Sequence, residues 1–184
     1  MLTGVLIPFE KADEVKFSIV EFYFSNGKGL ALTDRMKKAN VKLNPEDKKG
    51  IDALDKELHY NYLKSIFNRK AAIKNLLLDQ TLIRGIGSAY ADEILWETKI
   101  SPFSKAMAIP DEKIKELAKN IKSVLKGAIK SITKSHPGLI QGEVRDFLKI
   151  HTRNQTESPT GSPIKIDKRG MMTTYYTDEQ ILYE

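Results

Sequence analysis

Leu76-Leu77-Leu78-Asp79-Gln80-Thr81-Leu82-Ile83-Arg84-Gly85-Ile86-Gly87-Ser88-Ala89-Tyr90-Ala91-Asp92-Glu93-Ile94-Leu95 is the stretch on which the reading of this chain turns. Ile73, Leu76 and Leu77 share one helical face, and that helix stops near Gln80. A short apolar link, Leu82-Ile83, leads into Gly85-Ile86-Gly87-Ser88, and Tyr90, Ile94 and Leu95 then resume the helical period. Ser88 is placed to cap the second helix, with Asp92 and Glu93 near the positive end of its dipole. Glycines directly before a helix N-terminus let backbone N–H groups approach a ligand closely, and the free donors and the dipole favour an anion such as phosphate. The alternative is that Gly85 and Gly87 only permit a tight interhelical turn and Ser88 only caps it.

Outward from this stretch, the pattern is helical over 46–150. Tyr60, Leu63 and Phe67 lie on one face before it. After it, Pro110-Asp111-Glu112 opens a long helix with proline early and acids in the first turn. Ile114, Leu117, Ala118, Ile121, Leu125, Ala128, Ile129 and Ile132 make its core stripe. Lys115, Lys119, Lys122, Lys126 and Lys130 line up elsewhere on its circumference. Between Lys99 and Arg153 there are twelve Lys or Arg against five Asp or Glu, so the whole net charge of +6 has its source in this region. Such an excess suits a surface that meets a polyanion, or a well-solvated lysine-rich helix.

Residues 1–45 read as β structure, with a first strand over Leu2–Ile7 and alternation at Val15, Phe17 and Ile19. Ser25-Asn26-Gly27-Lys28 predicts a hairpin, because Asn and Gly both tolerate positive φ; Leu30 and Leu32 return, and Val41 and Leu43 suggest another strand. The greasy face of Val15, Phe17, Ile19, Phe22 and Phe24 has nothing in its own segment to cover it, which predicts self-association if it is exposed. Over 151–184 a turn-rich stretch, Thr156–Gly161, precedes two β-like runs, Ile164–Asp167 and Met172–Thr177, hinged at Lys168-Arg169-Gly170-Met171. The fold class is therefore α+β, in three segments: 1–45, 46–150 and 151–184.

Composition narrows the chemistry. Among 184 residues, 41% are hydrophobic and 29% charged, an ordinary globular balance. The absence of cysteine excludes disulfides, thiolate metal sites and cysteine nucleophiles. No apolar run reaches the ~20 residues that span a bilayer, and Met1-Leu2-Thr3-Gly4 lacks a charged leader, so a cytoplasmic location is expected. His59, His136 and His151 have neither metal-ligand spacing nor a serine–acid partner, so they carry no catalytic role in this reading.

The stretch from Leu76 to Leu95 resembles the helix–two-turns–helix motif of the formamidopyrimidine-DNA glycosylase/endonuclease VIII family. Ile73-Lys74, Ile100-Ser101-Pro102 and Val144-Arg145-Asp146-Phe147 follow that family's order. The resemblance implies base-excision repair of damaged double-stranded DNA, with 1–45 a partial N-terminal β-sandwich, 46–150 the helical DNA-binding domain and 151–184 a finger hairpin. It also implies a proline amine nucleophile followed by a glutamate, for which Pro8 and Glu10 are internal and unsuited. The expectation is a family member without its first portion and without catalytic residues, and the alternative is a non-enzymatic module for DNA or rRNA.

Further departures bear on the site. Serine stands at position 88 where the family has asparagine, and the loop that covers the lesion is missing after Phe147, where Leu148–Arg153 follows at once. Leu2 lies near the family's void-filling methionine, and Asp34-Arg35-Met36-Lys37-Lys38 replaces its arginine–phenylalanine pair. The four zinc cysteines of the finger map to Glu157, Thr160, Thr177 and Gln180, so a zincless finger with no metal and no cofactor is expected, held by Ile164, Ile166, Tyr175 and Tyr176. The finger arginine has no exact match; Met172 falls near its register, and Arg169 at the tip is the substitute. The candidate nucleic-acid-binding residues are Arg69, Lys70, Lys74, Arg84, Gly85, Gly87, Ser88 and Arg169.

Overall fold

Gly27 sets the first turn of the chain. In the computed structural model, which describes residues 4–11, 15–46, 49–140, 142–170 and 172–184, Phe24 N–H donates to Lys28 O at 2.8 Å and Gly27 N–H to Phe24 O at 3.0 Å. Gly27 takes φ +81° while Asn26 stays out of the left-handed region. The hairpin is thus a three-residue loop with glycine at its last position, not one needing positive φ at both residues.

The turn joins strands β2 (Ser18–Tyr23) and β3 (Gly29–Thr33), and β1 (Val5–Phe9) completes an antiparallel sheet in the order β1-β3-β2. Phe9 pairs with Gly29, and a Cβ at Gly29 would lie 2.2 Å from the Phe9 ring, so the glycine makes room for the aromatic to lie across the sheet against Tyr23. The expected alternation through Phe17 and Ile19 fails: Phe17 has φ +61°, and the register shifts between Ser18 and Val20. Val41 and Leu43 do not form a strand. The Asp34 carboxylate takes the backbone N–H groups of Met36, Lys38 and Ala39, and Lys37 and Asn44 have positive φ, so a local turn wins over extension. Phe17, Phe22 and Phe24 are exposed. The Leu2 and Met171 expectations lie outside the described residues.

By contacts, residues 1–47 group with 133–144, and residues 48–132 group with 145–184. The second unit therefore holds most of the helical segment together with the C-terminal hairpin. It contains β4 (Ile51–Asp52), α1 (Tyr60–Ile66), α2 (Ile73–Leu78), β5 (Ile83–Arg84), α3 (Ser88–Glu97), β6 (Lys165–Arg169) and β7 (Met172–Tyr176), and α4 (Asp111–Ser135) starts there. β4 and β5 pair in parallel, and β6 and β7 antiparallel. Leu63, Phe67, Ile73, Leu77, Ile83, Ile86, Ile94, Leu95, Ile114, Leu117 and Ile121 form one apolar core. The buried stripe of α4 ends at Leu125, and Ile129, expected in it, is exposed. Among the described residues no helix is long and apolar enough to cross a membrane.

Candidate nucleic-acid interface

The two turns between α2 and α3 are held by one amide. Gln80 accepts the Gly85 N–H at 3.0 Å through Oε1, while its Nε2 donates to Ile86 O at 2.9 Å. Asp79 takes the Thr81 hydroxyl and backbone N–H, which hold its carboxyl below the ordinary range. Tyr62 donates its hydroxyl to Leu82 O at 2.7 Å. Gly85, at φ +92°, occupies a conformation that requires glycine.

Gly87, at φ −100° and ψ 173°, is the N-cap of α3. Ser88 is accordingly the first helical residue rather than the cap, and its hydroxyl donates to Thr173 O of β7 at 3.3 Å. The Gly85 N–H, expected to reach a ligand, is spent on Gln80. The first-turn N–H groups of α3 have no intrahelical acceptor and sit at the positive end of the dipole. A Cβ on Gly87 would meet nothing within 4 Å, so the backbone there is open to an approaching group.

The cations separate into two kinds. Arg69 and Lys70 are exposed, Arg84 is half-buried, and Arg169 at the hairpin tip is 77% exposed, with Nε 2.7 Å from Asp167 and its guanidinium over the Phe103 ring. Lys74 is 3% exposed, which corrects its placement among the surface charges. Its ammonium lies 2.7 Å from Asp92 Oδ1 and donates to Thr174 Oγ1 at 2.9 Å and Thr173 O at 3.2 Å. Asp92 Oδ2 takes the Tyr175 N–H at 2.9 Å and lies 2.7 Å from His151 Nδ1. His151 is therefore not isolated; it belongs to this buried cluster. Glu93 accepts the backbone N–H groups of Lys149, Ile150 and His151. Asp92 and Glu93, read as dipole partners, instead fasten β7 and the 149–151 segment to α3. The cluster sets the hairpin beside the α3 N-terminus.

The family model for the formamidopyrimidine-DNA glycosylase H2TH domain matches residues 50–137. The chain is 34% identical over 187 residues to the formamidopyrimidine-DNA glycosylase of Lactobacillus gasseri, covering 92% of this chain and 67% of that protein. The corresponding enzyme of Lactobacillus helveticus is 33% identical over 195 residues, covering 94% and 69%. The chain belongs to the formamidopyrimidine-DNA glycosylase family. Among solved structures, the Lactococcus lactis Fpg in complex with DNA containing an abasic site superposes with a TM-score of 0.79 at 23% identity, over 97% of this chain and 72% of that one, which shows the shared fold.

In this member of the formamidopyrimidine-DNA glycosylase family, two of the four finger positions read as replaced cysteines, Thr160 and Thr177, bond to a carboxylate that the sequence did not single out. Glu179 accepts from Thr160 Oγ1 at 2.7 Å, Thr177 Oγ1 at 3.1 Å, Lys99 Nζ at 3.1 Å, Trp96 Nε1 at 3.2 Å and Ser158 Oγ at 3.3 Å. Gln180 takes the Thr177 N–H and donates to Ile100 O. Trp96, Ile150, Tyr175 and Ile164 form the apolar seat beneath, and Tyr176 meets Phe103 edge-on; Ile166, expected in that packing, is exposed. The only hint in the sequence was an acid between two mapped positions.

The Thr160 hydroxyl, followed by Lys99, Trp96 and Thr177, holds the Glu179 carboxyl down to about 2, from 4.5. A depressed acid contributes stability above its unfolded pKa and loses it as pH falls through its folded one. The finger should therefore weaken between about pH 4.5 and pH 2. Replacing Glu179 with alanine is expected to cost about 2 kcal/mol at neutral pH and to flatten that acid limb. Urea midpoints followed by the fluorescence of Trp96, the single tryptophan, measure both effects. An identical acid limb in parent and Glu179→Ala would contradict this account.

Proposed function

We propose that this chain serves base-excision repair by holding damaged double-stranded DNA. One strand's phosphate would sit against the N-terminus of α3, with Gly87 opening the backbone and Ser88 beside it. Arg69, Lys70 and Arg84 supply charge around that phosphate, and Arg169 reaches a neighbouring one. The observation that carries the reading is the Ser88–Thr173 hydrogen bond, which places the open helix end and the hairpin side by side. The α3 dipole and its first-turn donors suit an anion, and contacts of this kind position a duplex without reading its sequence. Binding of this kind would put the protein on the nucleoid.

Titration of a fluorescent abasic duplex tests it. With about four phosphate contacts at this site alone, affinity should fall by at least about a hundredfold between 50 and 200 mM salt. Affinity independent of salt would overturn the reading.

A second reading, binding of DNA or rRNA without chemistry, draws on Pro8. It lies inside β1, paired with Leu30, and its nitrogen is an amide that cannot form a Schiff base. A polypeptide of residues 1–184 is expected to trap no covalent adduct with abasic duplex under borohydride. A trapped band that persists after repurification would refute that expectation.

A further inference from the structure

The acids of α4 stop early. Asp111, Glu112 and Glu116 fall in its first six residues, and from Leu117 to Ser135 the helix carries lysines and no acid. Lys119, Lys122, Lys126 and Lys130 lie within about 80° of the helix circumference, at 3.6 residues per turn, and extend over about 16 Å. They point away from the buried Leu117, Ile121 and Leu125. Lys119, Lys126 and Lys130 are exposed and Lys122 is half-buried.

Six other lysines of the same unit are answered by carboxylates, Lys64 by Asp111, Lys74 by Asp92, Lys99 by Glu179, Lys113 by Glu116, Lys149 by Glu97 and Lys165 by Asp178, while the remaining ones, Lys70 and Lys105 among them, are scattered singly over it. None of the four α4 lysines has an ion pair among the described residues. A solvated helix face ordinarily mixes signs, because like charges at i,i+4 weaken a helix. Lys122, Lys126 and Lys130 repeat at that spacing without relief. The helix dipole favours cations only in the last turn, and Lys119 to Lys126 lie further in. A row of unpaired ammonium groups on a rigid rod fits a rod of phosphates.

We infer that the outer face of α4 is a second, sequence-independent contact for the phosphate backbone of duplex DNA, carried by Lys119, Lys122, Lys126 and Lys130. The inference rests on the reading of the chain as a duplex binder but uses an element separate from the α3 turn. Its role is to hold undamaged flanking duplex, so it acts through counterion release rather than shape.

The test compares the parent, the fourfold variant Lys119→Ala/Lys122→Ala/Lys126→Ala/Lys130→Ala, the same four positions changed to Arg, and Gly87→Val. The probe is an undamaged fluorescent duplex of twenty base pairs, read by anisotropy at 50 and 200 mM KCl. The alanine variant is expected to flatten the slope of log affinity against log salt by about two to four units, and the arginine variant to keep it. Alanine is a strong helix former, and thermal unfolding should show the fourfold variant at least as stable as the parent. An unchanged slope in that variant, with Gly87→Val weakened, overturns the lysine face and leaves the α3 site standing. A flattened slope with Gly87→Val silent supports the lysine face and overturns the α3 site. A parent that fails to bind duplex overturns both. Binding to phosphatidylserine vesicles that the alanines abolish, with duplex binding untouched, overturns the nucleic-acid assignment.

Discussion

Lys74→Met is expected to cost about 3–5 kcal/mol of unfolding free energy, the scale for stranding one partner of a buried ion pair. Lys74 and Asp92 are 3% and 0% exposed, and their 2.7 Å contact lies where water cannot replace either partner. Methionine fills the space of the lysine stem but leaves Asp92 Oδ1 facing an apolar group, with only Oδ2 still met by Tyr175 N–H and His151. It also removes the donor to Thr173 O and Thr174 Oγ1, so β7 loses part of its attachment. The double variant Lys74→Met/Asp92→Asn should recover much of the loss, because the uncompensated charge is gone and the amide oxygen can still accept from Tyr175 N–H. Denaturant unfolding followed at Trp96 reads both. A single-variant cost under about 1 kcal/mol would mean the cluster is hydrated and the pair is worth no more than a surface one.

Gly87→Val should leave stability within about 1 kcal/mol of the parent and still weaken duplex binding about tenfold or more. Its φ of −100° and ψ of 173° lie in the broad β region that valine favours, and its Cβ would find no atom within 4 Å. The side chain instead occupies the space a phosphate would need to reach the first-turn N–H groups. Gly85→Val is the contrasting case: at φ +92° the strain falls on folding itself. Arg169→Ala should do less, lowering the salt slope by about one unit for all sequences alike. If Gly87→Val folds and binds like the parent, the glycine serves only the turn.

The helix–two-turns–helix was legible because its signals are local: leucines at helical spacing, a glycine pair, a resumed period. The hairpin at Gly27 was legible for the same reason. Lys74 was misread because its partner lies eighteen residues on, in another helix, and a lysine beside Ile73 looks the same whether it faces water or Asp92. Ser88 was read as a cap from residue type alone, although Gly87 supplies the extended backbone that a cap needs. Val41 and Leu43 have strand propensity, but Asp34 binds the backbone N–H groups of Met36, Lys38 and Ala39 just before them, a competition that residue-by-residue propensity does not register. Glu179 carries no local signal, because only the fold brings the hydroxyls of Thr160 and Thr177 onto its carboxylate.

The fastening of the two-turn loop by Gln80 has an electrostatic side. A glutamate there could accept the Gly85 N–H but could not donate to Ile86 O, and it would add a full negative charge beside the mouth of α3. The amide ties both ends of the loop while remaining neutral, and the neighbouring carboxylate, Asp79, is turned onto the Thr81 hydroxyl and N–H. The potential in front of the helix is therefore set by the dipole and the arginines, undiluted by the brace that keeps the loop in shape.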